Sequence, residues 1–205
     1  MQDCYLEISR GTQIVLKVKG SRFIGETFRV GSSDEAAIEL EKIRKREYSA
    51  THHCYAWQVG LHTEQAFKYS DDGEPNGTAG RPIYDAIAGR NVTNLLLVVT
   101  RYFGGTKLGT GGLARAYADA AREALDQSGT KQRLLCSAYR FHLEFSRYDS
   151  FQRILHRFKA VVKESRFSDL VTLDVEIRRS RVEELLTAFS ELCAGKGEVE
   201  KLGDD

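Results

Sequence analysis

The chain is short of several features that would point to a class of function. It has two prolines, Pro75 and Pro82, among 205 residues, so long irregular linkers are not expected. No apolar run approaches the roughly 20 residues of a membrane-spanning helix. The opening MQDCYLEISR has no apolar core of a secretory signal. Charge of one sign is lacking as well: 30 basic residues face 29 acidic ones, with no basic arm or acidic tail, so bulk electrostatics does not mark a nucleic-acid binder. The four cysteines, Cys4, Cys54, Cys136 and Cys193, contain no CxxC pair. That excludes the usual zinc spacing and argues for reduced thiols and a cytoplasmic location. With 41% hydrophobic and 29% charged residues, the composition is that of an ordinary globular protein of one large or two small domains.

Glycine, by contrast, is concentrated. RYFGGTKLGTGG, residues 101–112, holds five glycines after the apolar run Leu95–Val99, and helical periodicity follows from Leu113 to Leu125. Strand, glycine-rich turn and helix is the predicted order. Unpaired amides at such a helix start favour anions.

The pattern elsewhere predicts two domains. In the first, residues 1–130, strands are expected at Ile14–Val18 and Phe23–Val30. A helix opens on the capping pair Ser32 and Glu35, and a strand runs from His53 to Val59. A polar loop over 60–80 leads to a short helix from Arg81 to Gly89, a strand covered on both faces from Val92 to Thr100, and a helix from Thr110 to Gln127. In the second, residues 131–205, the order is β-α-β-β-α-β, with Ser146/Asp149 and Ser180/Glu183 as capping boxes: a ferredoxin-like arrangement within an α+β fold.

Four constellations carry candidate chemistry. GTGGLA at 109–114 matches a dinucleotide fingerprint nominally, but nine residues separate it from its strand, and no Walker loop surrounds Lys107. What survives is an anion or nucleic-acid cradle of Arg101, Tyr102, Gly104, Gly105, Lys107, Gly109, Thr110 and Gly111, joined by Arg81. The competing reading is that the glycines only allow tight packing. Asp71, Asp72 and Glu74 lie in an acidic loop that lacks EF-hand spacing; a solvated turn, a Mg²⁺ or Ca²⁺ site, or pairing of Asp72 or Glu74 with Arg101 or Arg81 would use them, and all three are possible site partners. His52 and Cys54 share one face of a strand and His53 the other, with His62 the only further imidazole nearby. His52 and Cys54 are possible site partners, but no zinc set or nucleophile–base pair is complete. Finally, rings interleave with cations between 81 and 117, where Arg81, Arg90, Arg101, Lys107 and Arg115 outnumber Asp85. Tyr117 is expected in the core, and Tyr102 is open.

KGSRFIG at 19–25, HHCYAW at 52–57, YSDDGEPNGTAGRPI at 69–83 and VVTRYFGGTKLGTGGLARAY at 98–117 together resemble the YigZ/IMPACT family. The resemblance implies a first domain similar to domain IV of elongation factor G and to GHMP kinases. It implies a second domain similar to the ferredoxin-like C-terminal domain of that factor. Tandem domains of this kind imply contact with the ribosome, tRNA or a translation factor. Eukaryotic relatives restrain a starvation-responsive initiation-factor kinase through its activator, with help from an additional N-terminal domain that has no counterpart in this sequence, so that partner is not carried over. The family supplies no catalytic residue, metal or cofactor, and none is assigned. The expected function is a non-enzymatic, translation-associated regulator that binds RNA, the ribosome or a translation factor through the glycine-rich face. The alternative is an enzyme acting on a phosphorylated or anionic small molecule at the same place.

Overall fold

A computed structural model describes residues 3–61 and 64–204, so His62 lies outside the described residues. The chain divides into two units. One spans Leu6–Gln132; the other runs from Arg133 onward and takes in the described residues before Leu6. Asp3 explains the second assignment. Its carbonyl accepts the Leu135 amide at 2.7 Å, and its carboxylate accepts the Ser180 amide at 2.8 Å. The expected boundary after residue 130 does not allow for this return of the chain's beginning.

The first unit is built on an antiparallel sheet of β2 (Thr12–Val18), β3 (Ser21–Arg29), β6 (Leu95–Tyr102), β4 (His52–Val59) and β5 (Ala66–Ser70), in that spatial order. Strand β6 is central and apolar on both faces because both are covered. Leu95, Leu97 and Val99 pack with Ile83, Ile87, Ala120 and Ala121, from helices α2 (Gly80–Ala88) and α3 (Gly109–Ser128). Leu96 and Val98 pack with Ala36, Leu40 and Ile43 of α1 (Ser33–Arg46). Helix α1 starts where its caps predict: Ser32 Oγ accepts the Glu35 amide at 3.1 Å, while the Glu35 carboxylate accepts the amide of Gly31 at 2.7 Å. Three strands escape the sequence reading. One is β5, hidden among the turn formers of 60–80. The others are β1 (Cys4–Ile8) and β7 (Thr130–Leu134), which pair as a two-stranded ribbon.

The second unit is β8 (Cys136–Leu143), α4 (Tyr148–Phe158), β9 (Val161–Phe167), β10 (Val171–Arg178), α5 (Val182–Leu192) and β11 (Glu198–Asp204). The sheet order β11-β8-β10-β9 is antiparallel throughout. The core is a cluster of rings, with Phe141 centred 5.0 Å from Phe151 and 4.8 Å from Phe189. The expected β-α-β-β-α-β order is present, but neither capping box forms. A short 3-10 turn precedes each helix, Phe145–Arg147 and Arg179–Arg181, and shifts the start past the serine. Ser146 Oγ donates to Glu144 at 3.3 Å, and Ser180 Oγ to Asp3.

Candidate functional site

Four of the candidate residues, His52, Cys54, Glu74 and Arg101, meet on the α2/α3 face of the first sheet. Alternation along β6 puts Arg101 on the side of Leu95, Leu97 and Val99, and the register pairs it with His52 of β4. Cys54, two residues on, faces the same way and His53 the other, as the strand period predicts.

Arg101 corrects the expectation of an open cationic cradle. The residue is 5% exposed. Its Nη1 donates to Glu74 Oε1 at 2.5 Å, and the same oxygen accepts the Tyr117 hydroxyl at 2.9 Å. His52 Nε2 lies 3.8 Å from it. Glu74 is therefore the hub that ties the acidic loop to β6 and α3. Of the pairings open to the acidic loop, Glu74 with Arg101 forms. Arg81 instead reaches Asp85 one turn along α2, at 2.7 Å, so it does not join the glycine-rich turn.

The two aspartates hold the loop in shape. Asp71 Oδ1 accepts the amides of Ala79 and Gly80 at 2.9 and 2.8 Å, and Oδ2 accepts that of Gly77 at 2.9 Å. This caps the start of α2, which has no side-chain cap from Ala79. Asp72 Oδ2 accepts the His53 amide at 2.6 Å, and Oδ1 meets Arg44 at 3.1 Å. His52 Nδ1 is 2.8 Å from the Asp72 carbonyl. Cys54 Sγ donates to the Asp71 carbonyl at 3.0 Å. Burial pushes the Cys54 thiol far above its ordinary value, so the thiolate that a nucleophile requires is suppressed. Burial, with Cys54 and Glu74 adding to it, pushes the Tyr117 hydroxyl up in the same way. The cluster spends most of its polar atoms on itself, although the buried Arg101 Nε has no hydrogen-bond partner. It works as a clamp between loop, strand and helix, and it offers no activated nucleophile. Among the described residues, no group of three or more His, Cys, Asp or Glu could hold a metal ion.

The glycine-rich turn divides into two parts. Gly104 is there for packing: a Cβ on it would fall 1.8 Å from the Gly20 carbonyl carbon. Its amide also donates to Ser21 Oγ at 3.1 Å. Gly105, Gly109 and Gly111 are exposed, and a Cβ on any of them would meet nothing within 4 Å. Gly105 and Gly109 have φ of +84° and +72°, which glycine tolerates; Gly111 does not have a positive φ. Thr110 and Lys107 are exposed beside them, and α3 starts after Leu108 with no side-chain cap. Neither packing nor backbone geometry accounts for Gly111.

The contact between Gly20 and Gly104 joins the β2–β3 turn to the glycine-rich turn at one end of the sheet. The segment after α1 joins them, because the Thr51 amide donates to the Arg101 carbonyl at 2.8 Å and Thr51 Oγ1 accepts the Phe103 amide at 3.1 Å. This end exposes Lys17, Lys19, Arg22, Lys45 and Lys107. None of the five makes an ion pair among the described residues. Arg22 lies over the Tyr102 ring at 4.3 Å, and Tyr102 donates its hydroxyl to Glu47 at 2.7 Å. That bond holds the Glu47 carboxyl below its ordinary value. Phe103 is 49% exposed and Tyr48 83%. Tyr102 is thus a support, while Phe103 and Tyr48 are the accessible rings. Sequence reasoning missed Lys17, Lys19 and Arg22 because KGSR reads locally as a turn. The β3–β6 pairing and the Gly20–Gly104 approach bring that turn against the one that carries Lys107.

A two-unit α+β chain, with a helix-covered antiparallel sheet clamped by Glu74 and Arg101 and followed by a ferredoxin-like unit, defines a recognisable class. A family model described as the Impact N-terminal domain matches residues 19–125, and one described as Domain of unknown function (DUF1949) matches residues 141–196. The chain is 31% identical to IMPACT family member YvyE of Bacillus subtilis (strain 168), over 98% of this chain and 92% of that one. It is 32% identical to IMPACT family member YigZ of Escherichia coli (strain K12), over 89% and 90%. A crystal structure described as that of an hypothetical protein matches with a TM-score of 0.67 and 29% identity, over 97% of both chains. This chain belongs to the IMPACT family.

Proposed function

We infer that the protein is a non-enzymatic, translation-associated regulator whose first unit binds single-stranded or structured RNA at the end of the sheet where Gly20 meets Gly104. The observation that carries the reading is that Lys17, Lys19, Arg22, Lys45 and Lys107, all exposed and free of ion pairs among the described residues, lie in or next to the segments that meet at this end of the sheet, which also carry the accessible rings of Phe103 and Tyr48. Cations supply phosphate contacts and rings supply stacking, a combination that suits unpaired nucleotides. The open glycines 105, 109 and 111 let a backbone come close to the uncapped start of α3. Membership of the IMPACT family supports a role connected with translation, and RNA is the component of that machinery with matching charge.

The enzymatic alternative draws less support. Glu74, Asp71 and Asp72 are occupied by internal partners, and the Cys54 thiol is held protonated.

The test is fluorescence anisotropy with a labelled single-stranded RNA across a salt series. Four or five phosphate contacts give a slope of log K against log salt of about −3, at roughly 0.7 per contact. The double variant Lys19→Glu/Lys107→Glu is expected to weaken binding about tenfold or more and to flatten the slope by about 1 to 1.5. Unchanged affinity and slope in that variant would remove the site.

A further inference from the structure

The second unit contains a cavity that the IMPACT assignment leaves without a role. It has a volume of about 310 Å³ and lies where the end of β8, the start of β10 and the loop after α5 converge. That volume is at the small end of the range for ligand pockets. Leu143 and Leu170 give it apolar lining, and Cys193 contributes a thiol. Arg147 and Lys196 bring positive charge, and Glu144 and Glu198 bring negative charge.

These four charged side chains are exposed, and they differ from several on the sheet beside the cavity in having no ionic partner among the described residues. On the sheet, opposite charges are paired: Arg140 and Arg166 with Asp174, Lys163 with Glu176, and Lys201 with Asp204. Arg147, Lys196 and Glu198 have no ion pair among the described residues, and Glu144 accepts only the Ser146 hydroxyl. Two cations and two carboxylates therefore line one small cavity without neutralising each other. Gly197 closes it at another point, where a Cβ would stand 2.6 Å from the Phe189 ring and 2.9 Å from Cys193 Sγ. That tight approach fixes the loop carrying Lys196 and Glu198 against the ring core.

We propose that this cavity binds a free apolar α-amino acid. Its carboxylate is taken by Arg147 and Lys196, its ammonium by Glu144 and Glu198, and its side chain by the apolar lining of Leu143 and Leu170. A ligand with both charges satisfies both sets, whereas a simple anion leaves the two glutamates unmatched and adds repulsion. The volume admits a ligand of the size of an amino acid. Exposed Phe145 and Phe167, whose rings are centred 6.2 Å apart, lie close in the chain to Arg147 and Leu170 and extend the apolar surface nearby.

Cys193 makes the proposal directly readable. Full-length protein is treated with N-ethylmaleimide, and the modification of each cysteine is followed by peptide mass spectrometry. L-Leucine at millimolar concentration is expected to slow modification of Cys193 by about threefold or more, as site occupancy dictates, and to leave half-buried Cys4 unchanged. Leucinamide lacks the carboxylate and isocaproate lacks the ammonium; neither should protect. Arg147→Gln and Glu198→Gln, both at exposed positions, should each abolish protection while leaving the unfolding temperature unchanged. The proposal fails if none of leucine, isoleucine, valine, methionine or phenylalanine slows the reaction. It fails equally if isocaproate protects as well as leucine, or if Arg147→Gln is protected like the parent protein. RNA binding by the first unit is unaffected by any of these outcomes.

Discussion

Arg101 and Tyr117 donate to the same carboxylate oxygen of Glu74, at 2.5 and 2.9 Å, inside a unit where all three residues are buried. The shared acceptor turns a surface loop into part of the core, because moving Glu74 would leave a guanidinium and a phenol without a partner.

Glu74→Gln should therefore destabilise the first unit by about 3–5 kcal/mol, the usual cost of leaving one member of a buried ion pair unmatched. Tyr117→Phe removes one bond to a charged acceptor and should cost about 1.5–3 kcal/mol. Urea titration followed by tryptophan fluorescence reports on this unit, since the single tryptophan, Trp57, lies in β4. Equal, small effects from both variants would contradict the hub role of Glu74.

The glycines of the 104–111 turn should respond in opposite directions. Gly104→Ala drives a methyl group into the backbone of Gly20, 1.8 Å away, and is expected to prevent the two turns from closing. Gly111→Ala meets no neighbour in the first turn of α3 and should stabilise the fold by about 0.5–1 kcal/mol. If RNA approaches here, Gly111→Ala should also weaken binding while raising the unfolding midpoint. A variant that is both stabler and fully active would show that this glycine serves nothing at the surface.

Glu26 gives the first unit a pH dependence of a particular sign. Burial raises its carboxyl above the ordinary value of 4.5, against the opposing pull of Arg46. The folded protein thus takes up a proton at Glu26 at a pH where the unfolded chain has already released it. The contribution of this group to stability grows as pH falls from neutrality towards 4.5 and levels off below that. Asp174 in the second unit has the opposite sign. Its hydrogen bond from Arg140 lowers its pKa, so its contribution is present above the ordinary value of 3.8 and fades as pH falls below it. Glu26→Gln should flatten the first trend without touching the second, which denaturation midpoints measured between about pH 3 and 7 would resolve.

Cys54 should resist N-ethylmaleimide in the native protein at about pH 8 and react fully in denaturant, because its thiol is buried and its ionisation is opposed. Modification of native Cys54 at the rate of a free thiol would reopen it as a nucleophile.

What could be read from the chain alone was what depends on near neighbours in sequence. The alternation of Cys54, Ala56 and Gln58 against Tyr55, Trp57 and Val59 set the two faces of β4, and Ser32 with Glu35 set the start of α1. The apolar run of β6 revealed a central strand. The same local rules failed at Ser146 and Ser180, where a 3-10 turn and a distant Asp3 took over the serines. They also missed β5, a strand only because β4 offers it an edge. The fate of Arg101 was decided by tertiary structure. Local composition reads it as an anion ligand, while the alternation of β6 turns it inward to a glutamate 27 positions away. The basic corner has the same origin, since the turns that carry Lys19 and Lys107 meet at two glycines, Gly20 and Gly104, that permit backbone to touch backbone. Periodicity and capping act over a few residues and are written into the sequence. Charge pairing and close backbone approach act through space, so the fold settles them.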